Sequence, residues 1–192
     1  MAGTFGGIAR TYQRLGHWFN LGILQKSVNT SLTTVSFSPE GAAIHEVNFG
    51  RSTASPEAVW ARLVDPTGWH DYYSNAQDVR HLEGNWPRIE LGSSFSRVTF
   101  GARVTTEVTE YEPFERLAWT GKVRGARGHH AWLLTPRDDG GTDIRTEETQ
   151  RGTLLVALRP VHAPRVRRMH QLWVDNLAAA AAAGMGGVDQ RG

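Results

Sequence analysis

The sequence predicts an α+β domain in which a curved antiparallel sheet wraps around a long C-terminal helix and leaves an internal cavity. Three observations lead there. Between residues 77 and 151, six short segments follow one another through hairpin-length links, which suits an antiparallel meander and leaves no room for parallel crossovers. One strand and one well-signalled short helix precede them. After them, Val166, Met169, Trp173, Leu177 and Ala180 set an apolar stripe through about four helical turns. A curved sheet cannot fill its own concave side, so the last helix forms one wall and the volume left over is a pocket.

The elements can be justified in order. In residues 1–30, Ile8, Tyr12, Leu15, Trp18, Phe19 and Ile23 recur near helical spacing, although Gly16 and Gly22 weaken the helix. This segment is expected to be a helical extension packed on the domain or on a second subunit, or a flap over a cavity mouth. A homodimer could form through it. Strands at 32–37 and 44–49 flank the turn chemistry of Ser38-Pro39-Glu40-Gly41. Ser55 can then cap a helix, with Pro56 at the first helical position and Glu57 placing negative charge in the first turn. Val59, Trp60, Leu63 and Val64 give it one buried face, and Asp65-Pro66-Thr67-Gly68 ends it. Residues 69–73 read as a second short helix or turn.

Further strands are expected at 78–82, 93–100, 103–111, 116–123, 129–135 and 142–151. Residues 153–158 continue as helix or irregular turn. The last helix is expected to begin only after Pro160 and Pro164, and to end at Gly184, Gly186 and Gly187. The domain is thus placed at 31–184, with a flexible tail at 185–192.

Composition narrows the function classes. The chain has 192 residues, enough for one domain plus an extension. It has no cysteine, which removes disulfides, thiolate metal sites and cysteine nucleophiles. No secretory signal and no run of ~20 apolar residues is visible, so a cytoplasmic protein without membrane insertion is expected. The net charge is only +2, and Arg165, Arg167 and Arg168 read as the solvated face of a helix rather than a nucleic-acid contact. No phosphate loop, dinucleotide fingerprint or His-Glu-x-x-His motif is present, and His129 and His130, adjacent on a strand, point to opposite faces. Neither metal nor cofactor is expected.

Several stretches carry a resemblance. The run Ser55-Pro56-Glu57-Ala58-Val59-Trp60-Ala61-Arg62-Leu63-Val64-Asp65, followed by Trp69, is similar to the first helix and turn of START-like proteins. Val108-Thr109-Glu110-Tyr111-Glu112-Pro113, running on to Arg116-Leu117-Ala118-Trp119, is a second match. The third is His130-Ala131-Trp132-Leu133-Leu134-Thr135-Pro136, then Gly140-Gly141-Thr142, Glu147 or Glu148, and Gly152. Over about residues 43–183 the chain resembles the helix-grip (SRPBCC) superfamily, and within it the polyketide cyclase/dehydrase family. The resemblance implies a helix-grip fold with a hydrophobic cavity between sheet and C-terminal helix. Some members bind lipids, hormones or pigments, and others cyclise and dehydrate polyketide intermediates in natural-product and antibiotic biosynthesis.

Strand parity sorts the candidate site residues. Phe95, Arg97 and Thr99 share a face. So do Val104, Thr106 and Val108; Leu117, Trp119 and Gly121; His130, Trp132 and Leu134; and Ile144, Thr146, Glu148 and Gln150. If these faces point inward, Trp69, Tyr73, Phe95, Trp119, Trp132, Met169 and Trp173 are the expected lining for an apolar or aromatic small molecule. Arg97, His130 and Glu148 are the expected catalytic groups. Arg97 would stabilise an enolate, with His130 or Glu148 moving the proton; an Arg97–Glu148 ion pair is the purely structural alternative. His70 and Tyr72 form a second candidate pair, a base and a carbonyl anchor, placed near the cavity mouth by the resemblance.

The leading functional reading, taken from the resemblance, is a cofactor-independent cyclase or dehydratase acting on a polyketide-like or other conjugated intermediate. A non-catalytic carrier of an apolar molecule is the alternative. A helper protein that grips a partner through residues 1–30 is the third.

Overall fold

The computed structural model describes residues 37–185. The expected extension at 1–30, the strand at 32–37 apart from Phe37, and the tail beyond 185 lie outside the described residues.

Strand β1 (Ile44–Ser52) leads into helix α1 (Pro56–Leu63), a 3₁₀ turn (Pro66–Gly68) and the single-turn helix α2 (Trp69–Tyr72). Six strands follow: β2 (Gln77–Glu83), β3 (Ser94–Thr99), β4 (Ala102–Glu112), β5 (Arg116–Val123), β6 (Ala126–Pro136) and β7 (Thr142–Arg151). Helix α3 (Thr153–Met185) completes the domain. The seven strands make one antiparallel sheet in the order β1-β7-β6-β5-β4-β3-β2, so the meander is intact and β1 returns to pair with the last strand. The sheet stays open. Its register slips between Val108 and Glu110 on β4 and twice on β2, and such bulges increase local twist and bend a sheet around its contents.

Most local signals read from sequence act where they stand. Ser55 occupies the N-cap position of α1 without a side-chain capping hydrogen bond, Pro56 is the first helical residue, and Val59, Trp60, Leu63 and Val64 are buried. Asp65 accepts the Thr67 backbone N–H at 3.1 Å and turns the chain into the 3₁₀ segment. The parity sets hold as well. Val108 lies opposite Trp119, Trp119 opposite His130, and His130 opposite Glu148, with these side chains buried on the concave face.

Helix α3 departs from expectation. It starts at Thr153 and runs through Pro160 and Pro164 instead of beginning after them. Each proline removes one N–H from the helical ladder. The two stand four residues apart on an exposed stretch, so the carbonyls they release can be satisfied by solvent. The buried stripe is also different. It comprises Val166, His170, Trp173, Val174, Leu177, Ala178 and Ala181, whereas Met169 and Ala180 are only half-buried.

Polar ties fix this helix to β1. Asn48 donates to Arg167 O and Gln171 Oε1, Ser52 donates to Ala178 O, and Gln171 Nε2 donates to Phe49 O. At Gly50 the helix comes so close that a Cβ there would overlap Val174 Cγ1. Under α3 lies an aromatic core. Trp173 stacks on Tyr73 at 4.2 Å and meets Trp69 and Trp132 edge-on, both at 5.1 Å between centroids.

Candidate functional site

The concave face is filled by core at the α1 end and open at the other. There a cavity of about 260 Å³ lies between β3–β7 and the first half of α3. Arg97, Trp119, His130 and Glu148 line it from the sheet, and His170 and Trp173 from the helix. Phe100, the β5–β6 turn and Leu154, Leu155 and His162 surround the entrance. A wider groove between β1 and α3 holds the Arg167–Glu46 ion pair at 2.7 Å and has no tryptophan, tyrosine or phenylalanine among its lining residues, so it offers little to a flat apolar ligand.

Each polar group in the cavity is placed by its strand. His130 on β6 lies between Trp119 and Trp132, stacked on Trp132 at 5.1 Å and on His170 at 4.6 Å. Its Nε2 lies 2.5 Å from Thr146 Oγ1, whose own proton goes to Ala131 O at 2.9 Å. That hydroxyl can therefore only accept from the ring, so His130 carries its hydrogen on Nε2 and turns the Nδ1 lone pair toward Glu148. Glu148 Oε2 is 3.4 Å from that nitrogen, and Oε1 accepts from Gln150 Nε2 at 3.0 Å. Gly128 makes room for this carboxyl, since a Cβ there would stand 2.8 Å from Oε1. Arg97 on β3 is 7% exposed. Its guanidinium lies 5.3 Å from the centroids of Trp69 and Trp119 and 5.6 Å from that of Trp173. Among the described residues, its Nη1 has no hydrogen-bond partner.

Burial sets the protonation states. Glu148 is pushed up to about 8 by desolvation, against the opposing pull of Gln150 and Arg97, so it is a neutral acid at pH 7. His130 is held well below its ordinary value by desolvation, then by His170 and Arg97, and stays neutral. His170 is lowered to about 3 in the same way. Arg97 falls to about 10 through burial but remains a cation at neutral pH. The cavity thus carries one proton on a carboxylic acid, two neutral imidazoles and one buried positive charge.

The residues expected from sequence fall into three groups. Arg97, Trp119, His130, Glu148 and Trp173 meet at the cavity wall. Trp69, Tyr73, Phe95 and Trp132 were expected to line it but pack in the core behind, and Met169 packs half-buried against that core. These rings interlock with one another under α3 and leave the lining to smaller neighbours such as Val104 and Gly121. His70 and Tyr72 lie elsewhere. His70 faces solvent beside Asp71 at 3.0 Å, and Tyr72 donates its hydroxyl to Arg62 O at 3.1 Å. The short helix α2 turns Trp69 inward and therefore turns His70 outward. The purely structural Arg97–Glu148 pair does not form: among the described residues, no carboxylate approaches Arg97 to ion-pair distance.

Sequence reasoning missed His170. Aligning the helical stripe on Val166 with four-residue as well as three-residue steps would have put it on the buried face. It also missed a cluster of metal-ligating groups, because the donors come from three separate elements. One donor atom each from His130, Glu148 and His170 lie within 4.8 Å of one another, all buried. The fit for a metal ion is poor. A cation would have to displace the Glu148 proton and stand near the unneutralised Arg97.

Comparison with known proteins agrees with this architecture. Residues 50–182 match the model of a family described as polyketide cyclase / dehydrase and lipid transport. No curated protein matches. Among solved structures, hypothetical protein jhp0584 from Helicobacter pylori is 26% identical, with a TM-score of 0.70 over 79% of this chain and 98% of that one. TTHA0849 from Thermus thermophilus is 17% identical, with a TM-score of 0.58 over 73% of this chain and 98% of its own. The di-domain ARO/CYC StfQ, from the steffimycin biosynthetic pathway, is 14% identical, with a TM-score of 0.57. The likeness covers 73% of this chain and 45% of StfQ, and at that identity it shows the fold alone. Among the described residues no helix is long and apolar enough to cross a membrane.

Proposed function

Because the chain belongs to the polyketide cyclase/dehydrase and lipid-transport family, we propose that its cavity catalyses cofactor-independent cyclisation and dehydration of a polyketide-like or other conjugated intermediate. The observation that carries this reading is the meeting of an unpaired Arg97 with the His130–Glu148 couple at one wall. Such a site needs a cation where enolate charge develops and an acid–base group that titrates near working pH. Glu148, pushed up to about 8, meets the second need, and His130 Nδ1 stands 3.4 Å from its Oε2.

In the proposed step, His130 Nδ1 takes a proton from a methylene flanked by carbonyls, and Arg97 holds the enolate oxygen. The enolate carbon bonds to a second carbonyl carbon of the same molecule, whose oxygen takes the Glu148 proton. The glutamate, now ionised, is reprotonated from His130. Loss of that hydroxyl with a neighbouring C–H proton forms a C=C bond in the new ring and releases one water. No electrons are transferred to or from an external group.

A carrier that holds the same kind of molecule unchanged is the second reading. It is favoured by the apolar entrance at Leu154 and Leu155 and by the close packing of four of the seven aromatic and apolar residues expected to line the cavity.

The test is incubation of the protein with an aromatic 1,3-diketone carrying a further ketone in aldol reach, followed by mass spectrometry. Accelerated loss of one water that falls at least ~100-fold in Glu148→Gln supports the enzyme. Tight binding with the compound returned unchanged supports the carrier.

A further inference from the structure

The charge state of the cavity identifies a ligand class. We propose that it selects an aromatic monoanion, a carboxylate or ionised phenol on a small flat ring system, with the charged oxygens held by Arg97. This rests on the reading of the cavity as the ligand site and narrows what enters it.

The guanidinium of Arg97 is covered by aromatic rings, from Trp69, Phe95, Trp119 and Trp173, at 5.3–5.8 Å from its central carbon. Rings stabilise a cation through their faces but cannot accept its in-plane N–H bonds as an oxygen does. Among the described residues Nη1 therefore remains without an acceptor, in a place solvent barely reaches. A buried charge left like this is costly, and the usual remedy is a counter-ion.

Among the described residues, none of the groups facing it from the surrounding elements supplies one. From the end of α2, Tyr73 already accepts from Asn75 at 3.0 Å, and burial raises its hydroxyl to about 12. Glu148 on β7 is uncharged at neutral pH. His130 on β6, and His170 and His162 on α3, are all held neutral. At the entrance Arg124 and Arg127 add positive charge that would draw anions inward. A carboxylate accepts two parallel bonds from a guanidinium, the geometry a neutral ketone cannot match.

The remaining lining is mostly apolar, with Val104, Trp119, Leu155 and Trp173 beside the polar Thr99 and Gln150. Its volume of about 260 Å³ lies just under the ~300 Å³ at which drug-sized sites begin, so two or three fused rings fit better than a long chain.

The experiment uses two matched probes on the full chain, 2-naphthoate and its neutral isostere 2-naphthamide, titrated by calorimetry near pH 6.5. We expect naphthoate to bind roughly tenfold tighter or more. The preference should disappear in Arg97→Met. Equal binding of both probes, or a naphthoate preference that survives Arg97→Met, overturns the anion assignment and leaves the cavity reading standing. Binding of neither probe to the wild type overturns both. The wild-type comparison needs no variant, so a folding defect in Arg97→Met does not block the test.

Discussion

Replacing Glu148 by glutamine should change how stability depends on pH, and the change can be worked out from the site. The ordinary carboxyl value is 4.5, and the folded protein raises it to about 8. Between those values the folded state keeps a proton that the unfolded chain has released. Stability is therefore fully present below about 4.5, declines as pH rises, and levels off above about 8. Each pH unit within the window is worth about 1.4 kcal/mol, so from pH 5.5 to 8 the loss is about 3 kcal/mol.

His130 and His170 act in the opposite sense. Their folded values lie below 6.5, so their contribution is present above 6.5 and lost on acidification. Together the three groups place maximum stability near pH 6.5. Glutamine can still accept from Gln150, so the variant keeps the shape of the site while removing the titration. Urea denaturation of both proteins across this range, at constant ionic strength, gives the comparison. Glu148→Gln should gain about 3 kcal/mol relative to wild type between pH 5.5 and 8. Parallel curves would refute the reasoning, because they would mean that Glu148 is already ionised in the folded protein.

Two further substitutions probe the frame around the site. Gly50→Ala should destabilise by about 1–3 kcal/mol in urea titration, because the new Cβ drives into Val174 and α3 has no freedom to retreat from β1. Thr146→Val removes the acceptor of the His130 Nε2 hydrogen and the donor to Ala131 O, and should cost about 1–3 kcal/mol. It should also shift the ring ¹⁵N resonances of His130 in NMR away from the pure Nε2–H tautomer; an unchanged spectrum would show that Thr146 does not set that tautomer.

The sheet was legible in the sequence because each strand presents one face to α3. Alternation put Trp119, His130, Trp132 and Glu148 on the correct side. Alternation alone was ambiguous on β6 and β7, where His129 and Glu147 on the opposite face are buried too. The bulky aromatics resolved it. The lining was less legible, since seven large apolar residues compete for one interior and the sequence does not say which of them pack against one another. Trp69 and Trp132 became core, while small Gly121 and Val104 ended at the cavity. The start of α3 was hidden because a proline rule holds for buried or isolated helices and is weaker where solvent can replace the missing bonds. His170 was hidden by its chemistry. A histidine reads as a surface residue until burial and a stacked neighbour make it neutral.

The pairing of β1 with β7 bears on how the chain comes to be folded. Ile44 must find Gln150, and Ser52 must find Thr142, across almost the whole meander. Closing so long a loop is entropically slow, and topologies rich in such distant contacts fold in milliseconds to seconds rather than microseconds. On a ribosome, β1 would emerge before the other six strands and then wait, with both of its edges bare, until β7 and α3 had been made. The hairpins from β2 to β6 can form from near neighbours, but the wall that carries Glu148 and the helix that carries His170 come last. A nascent or truncated chain lacking them would have a bent sheet with an exposed concave face, prone to association with other chains. The cavity itself would be complete only once α3 had docked on the sheet.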